Sequence, residues 1–311
     1  MFKVNNLTVI YKNKNMSTYL LQDICFSLGQ GQCLGIIGKS GAGKSTLAKS
    51  LLQIYDDNIF LDSGEILIDN KHFNNSMRGK VISLLFQNPN SYLNPLMKVG
   101  KQIEEMLTYH LRENKKDAKK KTIEFMKRVG IENAPTVYNY YPSQISGGMQ
   151  QRICLCICLI CNPKILILDE CTSFLDSETK EEILKLIKEL QQEYNFTLIM
   201  ISHDFKEIYH MCDTIAIISK GKMIEFGKKD ELILNSKHPQ TIELLYDYLR
   251  YYKNIAPFTF KPLNIDTPAP INYLSKSHYV RSWYLTNNIS FDEPSNFKQT
   301  KEEIYEHIRN K

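Results

Sequence analysis

Gly38-Lys39-Ser40-Gly41-Ala42-Gly43-Lys44-Ser45-Thr46 carries the G-x-x-x-x-G-K-[ST] spacing, set between the apolar stretch Cys33–Ile37 and a helix-like stretch that begins at Leu47. A strand feeding such a loop aims backbone N–H groups and the positive end of the next helix at a polyphosphate. Lys44 adds a point charge and Ser45 offers a hydroxyl to Mg²⁺, while Gly38, Ser40, Gly41, Gly43 and Thr46 complete the cradle. The expected ligand is a nucleoside triphosphate. Such loops serve many activities, so this one names a ligand and not a job.

Two further strings bear on the chemistry. Ile165-Leu166-Ile167-Leu168-Asp169-Glu170 is an apolar strand ending in two carboxylates. Asp169 is placed there to hold Mg²⁺ through water, and Glu170 to orient and polarise a water for attack on the γ-phosphate. Ile145-Ser146-Gly147-Gly148-Met149-Gln150-Gln151-Arg152 lies just before a helix and reads as a second anion site. Ser146 caps the helix start, and the two glycines leave phosphate a clear approach.

These groups need elements to hold them. Lys3–Tyr11, Tyr19–Leu28 and the strand into the glycine loop read as short β segments, followed by strands at Gly64–Asp69 and Val81–Phe86. From Gly100 to about Ile160 the apolar period is helical, with a lysine-rich solvated face at 115–121. Strands return at Ile165–Asp169, Thr197–Ile201 and Thr214–Ile218, with a helix from Thr179 to Gln192 among them. Short, nearly continuous apolar strands alternating with helices predict a parallel sheet covered on both faces, with its ligand loops at the carboxyl ends. Gly38, Gln87, Asp169 and His203 all fall just past strand ends, on one rim. From about Arg250 the composition turns to Tyr, Asn, Pro and Ser, which reads as a tail with little structure of its own before a helix-like piece at Lys301–Arg309.

Composition bounds the rest. A chain of 311 residues has room for about two domains. Lys and Arg number 39 against 34 Asp and Glu, a mild excess spread along the chain, so charge gives no indication of nucleic acid. The longest apolar run, Ile153–Cys161, is roughly half of what a bilayer crossing needs, and Lys3 and Asn5 stand where a secretory core would be apolar. The expectation is a chain that neither spans a membrane nor enters a secretory route by itself. Eight cysteines without the spacing of a stapled domain fit reduced cytoplasmic thiols. Cys154, Cys156, Cys158 and Cys161 sit among Ile and Leu on one helix, with Cys156 turned away from the other three, and read as small hydrophobes rather than a metal site.

Ser-Gly-Gly followed by a strand ending in Asp-Glu, both downstream of the glycine loop, resembles the ATP-binding subunits of ABC transporters from about Lys3 to Leu245. The resemblance implies an α/β P-loop (RecA-like) ABC ATPase domain at 1–245, with an antiparallel β subdomain and a helical subdomain inserted at about 98–160, then a C-terminal extension at 246–311. It implies ATP and Mg²⁺ as cofactors, with the metal held by Ser45, Gln87 and Asp169, and Glu170, Gln87 and His203 as the catalytic residues. Tyr11 matches the aromatic that stacks on adenine, His203 the histidine that contacts the γ-phosphate, and Asp176 the loop aspartate that communicates across a dimer. The resemblance further implies that two such domains close face to face, each ATP lying between Lys44, Ser45 and Asp169 of one chain and Ser146, Gly147 and Gly148 of the other. Cys171, where most members have proline, and Phe174, where a small residue is usual, depart from the pattern and bear on turnover speed.

Gln87-Asn88-Pro89-Asn90-Ser91-Tyr92-Leu93-Asn94-Pro95 and His238-Pro239-Gln240-Thr241 with Leu244-Leu245 resemble segments of the oligopeptide, dipeptide and nickel importer group. Ser277–Trp283 is similar to the end of that group's extension; no cysteine follows Cys212, which disfavours an iron–sulfur cluster there. The implied partners are a second, homologous ABC ATPase subunit, two transmembrane permease subunits and an extracytoplasmic solute-binding protein, with the chain peripheral at the cytoplasmic face of the membrane. The short interval from Lys44 to Gln87 leans towards nickel or a metal chelate over peptides as cargo. The competing reading, a soluble ABC ATPase acting on nucleic acid or ribosomes, calls for long coiled coils or two ATP domains in one chain, and the sequence has neither.

Overall fold

The computed structural model describes residues 1–14, 16–86, 92–173, 175–253, 271–273 and 278–281. Gln87, Asn88, Pro89, Asn90, Ser91, Phe174, Ser277, Ser282, Trp283 and the helix-like piece at 301–309 lie outside them.

Strands β1 (Phe2–Lys12), β2 (Ser17–Leu28), β4 (Ile59–Ile68) and β5 (Lys71–His72) form an antiparallel sheet in the order β2-β1-β4-β5. Between β2 and β4 the chain enters the main sheet through β3 (Cys33–Ile37) and leaves by helix α1 (Lys44–Leu51). The main sheet takes in β6 (Ile82–Leu85), β7 (Ile165–Asp169), β8 (Thr197–Ile201), β9 (Thr214–Ser219), β10 (Lys222–Lys228), β11 (Ile271–Tyr273) and β12 (Tyr279–Arg281). Its order is β11-β12-β10-β9-β3-β8-β7-β6. The strands from β9 across to β6 run parallel, as the apolar runs predict, but β10, β11 and β12 add an antiparallel edge.

Every residue of β3, β7 and β8 is buried. Their side chains divide between two hydrophobic cores with the period of two that a pleated strand imposes. Ile165 and Ile167 pack with α1 and the antiparallel sheet, whereas Leu166 and Leu168 pack with the helices on the opposite face. Those helices include α2 (Val99–His110), α3 (Lys115–Arg128), α4 (Ala134–Val137) and α5 (Gly147–Leu159), inserted between β6 and β7 in the interval expected for a helical subdomain. From Ile153 to Leu159 α5 is apolar and buried all round. Cys154, Cys156 and Cys158 are free thiols within this core, Cys156 as buried as the others, and Cys161 is a buried free thiol just past α5. Burial pushes the Cys158 thiol up to about 12 and Cys161 to about 11, so they behave as small hydrophobes.

The second half of the sheet is covered by α6 (Ser177–Tyr194), α7 (Phe205–Met211), α8 (Lys229–Asn235) and α9 (Pro239–Lys253). The expected boundary at 245/246 falls inside α9, and part of the tail is more ordered than its composition implied. β12 pairs with β10, and the fully buried His278 places Nε2 2.8 Å from Glu225 Oε1. Glu225, also fully buried, accepts the N–H groups of Lys237 and His238 as well. A buried carboxylate is costly unless its lone pairs are filled. Here the chain before α9 and the tail strand fill them together.

Candidate nucleotide-binding site

The glycine loop leaves β3 and folds tightly against the end of β9. A Cβ on Gly38 would stand 2.3 Å from the Ile218 carbonyl oxygen, so no other residue fits without moving backbone. Gly43, the N-cap of α1, has φ 103°, a left-handed conformation that glycine adopts without strain. No side chain caps the helix and its first turn carries no acid, which leaves its N–H groups and positive dipole end directed at the loop's concave side. Lys44 folds back over this loop, donating from Nζ to the carbonyls of Gly38 (2.8 Å) and Lys39 (3.3 Å).

A cavity of about 610 Å³ opens over the loop, bordered by Ser40, Lys44, Ser45, Thr46, Glu170 and His203. β7 ends at Asp169, and Glu170, the next residue, borders the cavity. Asp169 is 5% exposed, and its Oδ1 has no hydrogen-bond partner among the described residues. Burial raises the Asp169 pKa and the Glu170 charge adds to this, while a hydrogen bond to Ser45 and the charge of Lys44 act in the opposite sense. A desolvated carboxylate beside a hydroxyl is the hard-oxygen donor pair that suits Mg²⁺, so Ser45 and Asp169 fit the metal the resemblance implies.

Glu170 turns out of β7 with φ 48°, its N–H still bonded to the Ile201 carbonyl on β8 at 2.9 Å. That left-handed turn carries the carboxylate over the cavity, where Oε1 lies 3.7 Å from Lys44 Nζ and Oε2 lies 3.5 Å from His203 Nδ1. Three residues far apart in sequence thus converge because β3, β7 and β8 are neighbours in one parallel sheet.

Other predicted site residues fall elsewhere. Tyr11 is on the inner strand of the antiparallel sheet, paired with Thr18 and Ile59 and half-buried, and it does not border the cavity. Tyr19, one pair along on the edge strand β2, does, with 60% of its surface exposed. Lys220 and Gly221 complete the same wall from the β9–β10 turn, tied to the hairpin by a bond from Gln22 N–H to the Gly221 carbonyl. The sequence signal for them was only a Lys-Gly turn. Ser146 caps α5, accepting from Met149 N–H at 3.3 Å, but Ser146, Gly147 and Gly148 do not border the cavity. They lie instead beside the first turn of α6: a Cβ on Gly148 would meet the Thr179 methyl at 3.0 Å, and Asp176 caps that turn through Thr179 N–H.

The family profile described as ABC transporter matches residues 21–173. The oligopeptide transport ATP-binding protein OppD of Bacillus subtilis (strain 168) is 31% identical, over 94% of this chain and 91% of that protein. The dipeptide transport ATP-binding protein DppD of Lactococcus lactis subsp. cremoris (strain MG1363) is 35% identical, over 91% of this chain and 90% of the relative. Among solved structures, the dimeric ATP-binding cassette MJ0796 bound to ADP and Pi is 29% identical with a TM-score of 0.65, over 73% of this chain and 98% of that one. The strand-end carboxylates, the glycine cradle and this full-length likeness agree: the chain belongs to the ABC transporter family, as an ATP-binding, ATP-hydrolysing subunit.

Proposed function

We propose that the chain powers import of a di- or oligopeptide by closing, with ATP, against a second ATPase subunit beneath a pair of transmembrane permease subunits. The observation that carries this reading is the half-built site. One chain supplies a complete phosphate cradle with Lys44, Glu170 and His203 around it, and holds a second anion-binding helix start, at Ser146, away from that cavity.

In the proposed mechanism the triphosphate lies along the start of α1, where backbone N–H groups and Lys44 offset its charge. The β1–β2 hairpin, bearing Tyr11 and Tyr19, borders the base side. Ser45 and Asp169, with Gln87, would hold Mg²⁺, which when bound would neutralise phosphate charge. Glu170 accepts a hydrogen bond from the attacking water and orients it, and His203 contacts the γ-phosphate. Ser146, Gly147 and Gly148 of the partner cap the same phosphate from the other side, so closure follows binding and hydrolysis releases it.

Among the described residues no helix is long and apolar enough to cross a membrane; in the proposed reading the likeness to transport ATP-binding proteins supports a peripheral place on the cytoplasmic face. The permeases and an extracytoplasmic binding protein would then carry the cargo. The names of the OppD and DppD relatives favour a peptide over the nickel complex to which loop length leaned. Glu170→Gln is expected to lower ATP hydrolysis by about 100-fold or more while ATP still binds. Cells carrying that variant are expected to stop accumulating radiolabelled peptide; hydrolysis near the wild-type rate would remove Glu170 from its role, and unchanged peptide uptake would remove the transport reading.

A further inference from the structure

We propose that Glu207, paired with Lys180, is a positioning residue that holds the Glu170 loop and the His203 loop in one fixed relation. The inference rests on the roles given above to Glu170 and His203. Glu207 lies on α7, one turn beyond the cavity, and is 5% exposed.

Both of its carboxylate oxygens are occupied by hydroxyls from the two loops that matter. Thr172, two residues after Glu170, donates from Oγ1 to Glu207 Oε1 at 2.9 Å. Ser202, immediately before His203, donates from Oγ to Glu207 Oε2 at 2.7 Å. Both hydroxyl-bearing residues are buried. Lys180 of α6 forms an ion pair with the same carboxylate and a second hydrogen bond, of 2.8 Å, to Asp204 Oδ2. Burial opposes the Lys180 charge, but the bonds to Asp204 and Glu207 outweigh it and hold its pKa above the ordinary value.

The arrangement is more than a way of satisfying one buried acid. The segment 171–176 contains no proline, so φ restriction does not fix it. It is tied to Glu207 through Thr172 at its start, and through α6, which Asp176 caps and which carries Lys180, at its end. The same carboxylate reaches the strand end that carries His203. Glu170 and His203 come within 3.5 Å of each other across the cavity, and the hydroxyls that Glu207 accepts belong to residues two after the one and one before the other. A buried ion pair is a poor source of net stability, but removing one partner leaves an uncompensated charge and frees whatever it held. Misplacing reacting groups by about 1 Å is enough to cost up to roughly 100-fold in rate, so the effect belongs in turnover and not in nucleotide binding.

The test is steady-state ATP hydrolysis by the full-length chain with its co-purifying subunits, alongside ATP binding and thermal unfolding. Glu207→Gln is expected to lower kcat about 10-fold while KM for ATP stays within about twofold. Thr172→Val keeps the side-chain shape and removes one donor, and is expected to lower kcat about threefold with the same split. Lys180→Arg is expected to retain most of the rate, whereas Lys180→Met loses it. Should Glu207→Gln fail to fold, Thr172→Val decides. Folded Thr172→Val and Glu207→Gln proteins with full ATP binding and wild-type kcat would overturn the proposal, as would a loss that tracks unfolding temperature alone. A wild-type chain whose hydrolysis is indifferent to Glu170→Gln would overturn the parent reading, and this inference with it.

Discussion

The starts of α1 and α5 are both helix N-termini rich in glycine, yet they sit in opposite surroundings. At α1 the loop is pressed onto the β9 strand end, Lys44 is folded over it, and the Glu170 carboxylate borders the cavity. At α5 Ser146 and Gly147 are exposed, and a Cβ on Gly147 would meet nothing within 4 Å. One site makes its own walls. The other is a helix start with no wall of its own, the form that the proposed role of completing another chain's pocket requires.

Substitutions at the two sites should therefore differ in kind. The largest effect is expected from Lys44→Ala, which removes the side-chain ammonium bonded to the Gly38 and Lys39 carbonyls of the glycine loop and lowers ATP affinity of the separate chain roughly 100-fold, as isothermal titration would measure. Gly38→Ala forces a methyl against the Ile218 carbonyl and is expected to destabilise the fold by roughly 2–4 kcal/mol, whereas Gly147→Ala stays within about 1 kcal/mol. Equal losses in denaturant melts would erase the contrast between a packed loop and an open one.

Asp169 sharpens it further, because a packed site stores electrostatic cost. Its pKa is raised in the folded chain, chiefly by burial, so the folded state favours the protonated form. Stability is then fullest below the ordinary carboxylate value of 3.8 and falls as pH rises through the raised one. Asp169→Asn is expected to raise the unfolding temperature of the nucleotide-free chain at pH 7, by a few degrees at most, with the gain vanishing in acid. A variant that melts lower than wild type at pH 7 would place the Asp169 charge among the stabilising ones.

Much of this was legible in the sequence because it is local. The glycine loop, the strand ending in Asp169-Glu170 and the Ser146 cap each declare themselves within a few residues. The parallel core followed from apolar strands alternating with helices. What escaped depends on pairing across distance. Tyr19 and Tyr11 differ only in which strand is the sheet edge. Lys180 and Glu207 look like ordinary solvated helix charges until α6 and α7 are packed against the same loops. His278 belongs to a stretch that read as unstructured, and it is buried only because Glu225 on β10 offers an acceptor.

Mixed assemblies test the shared pocket most directly. The measurement is ATP binding by the separate Ser146→Arg chain together with hydrolysis at its partner's glycine-loop site in the assembled pair. Binding within about twofold of wild type, with partner-site hydrolysis reduced about 100-fold or more, is the predicted result. Partner-site hydrolysis at the wild-type rate, or a loss of ATP affinity in the separate chain, would contradict a pocket completed from the neighbouring subunit.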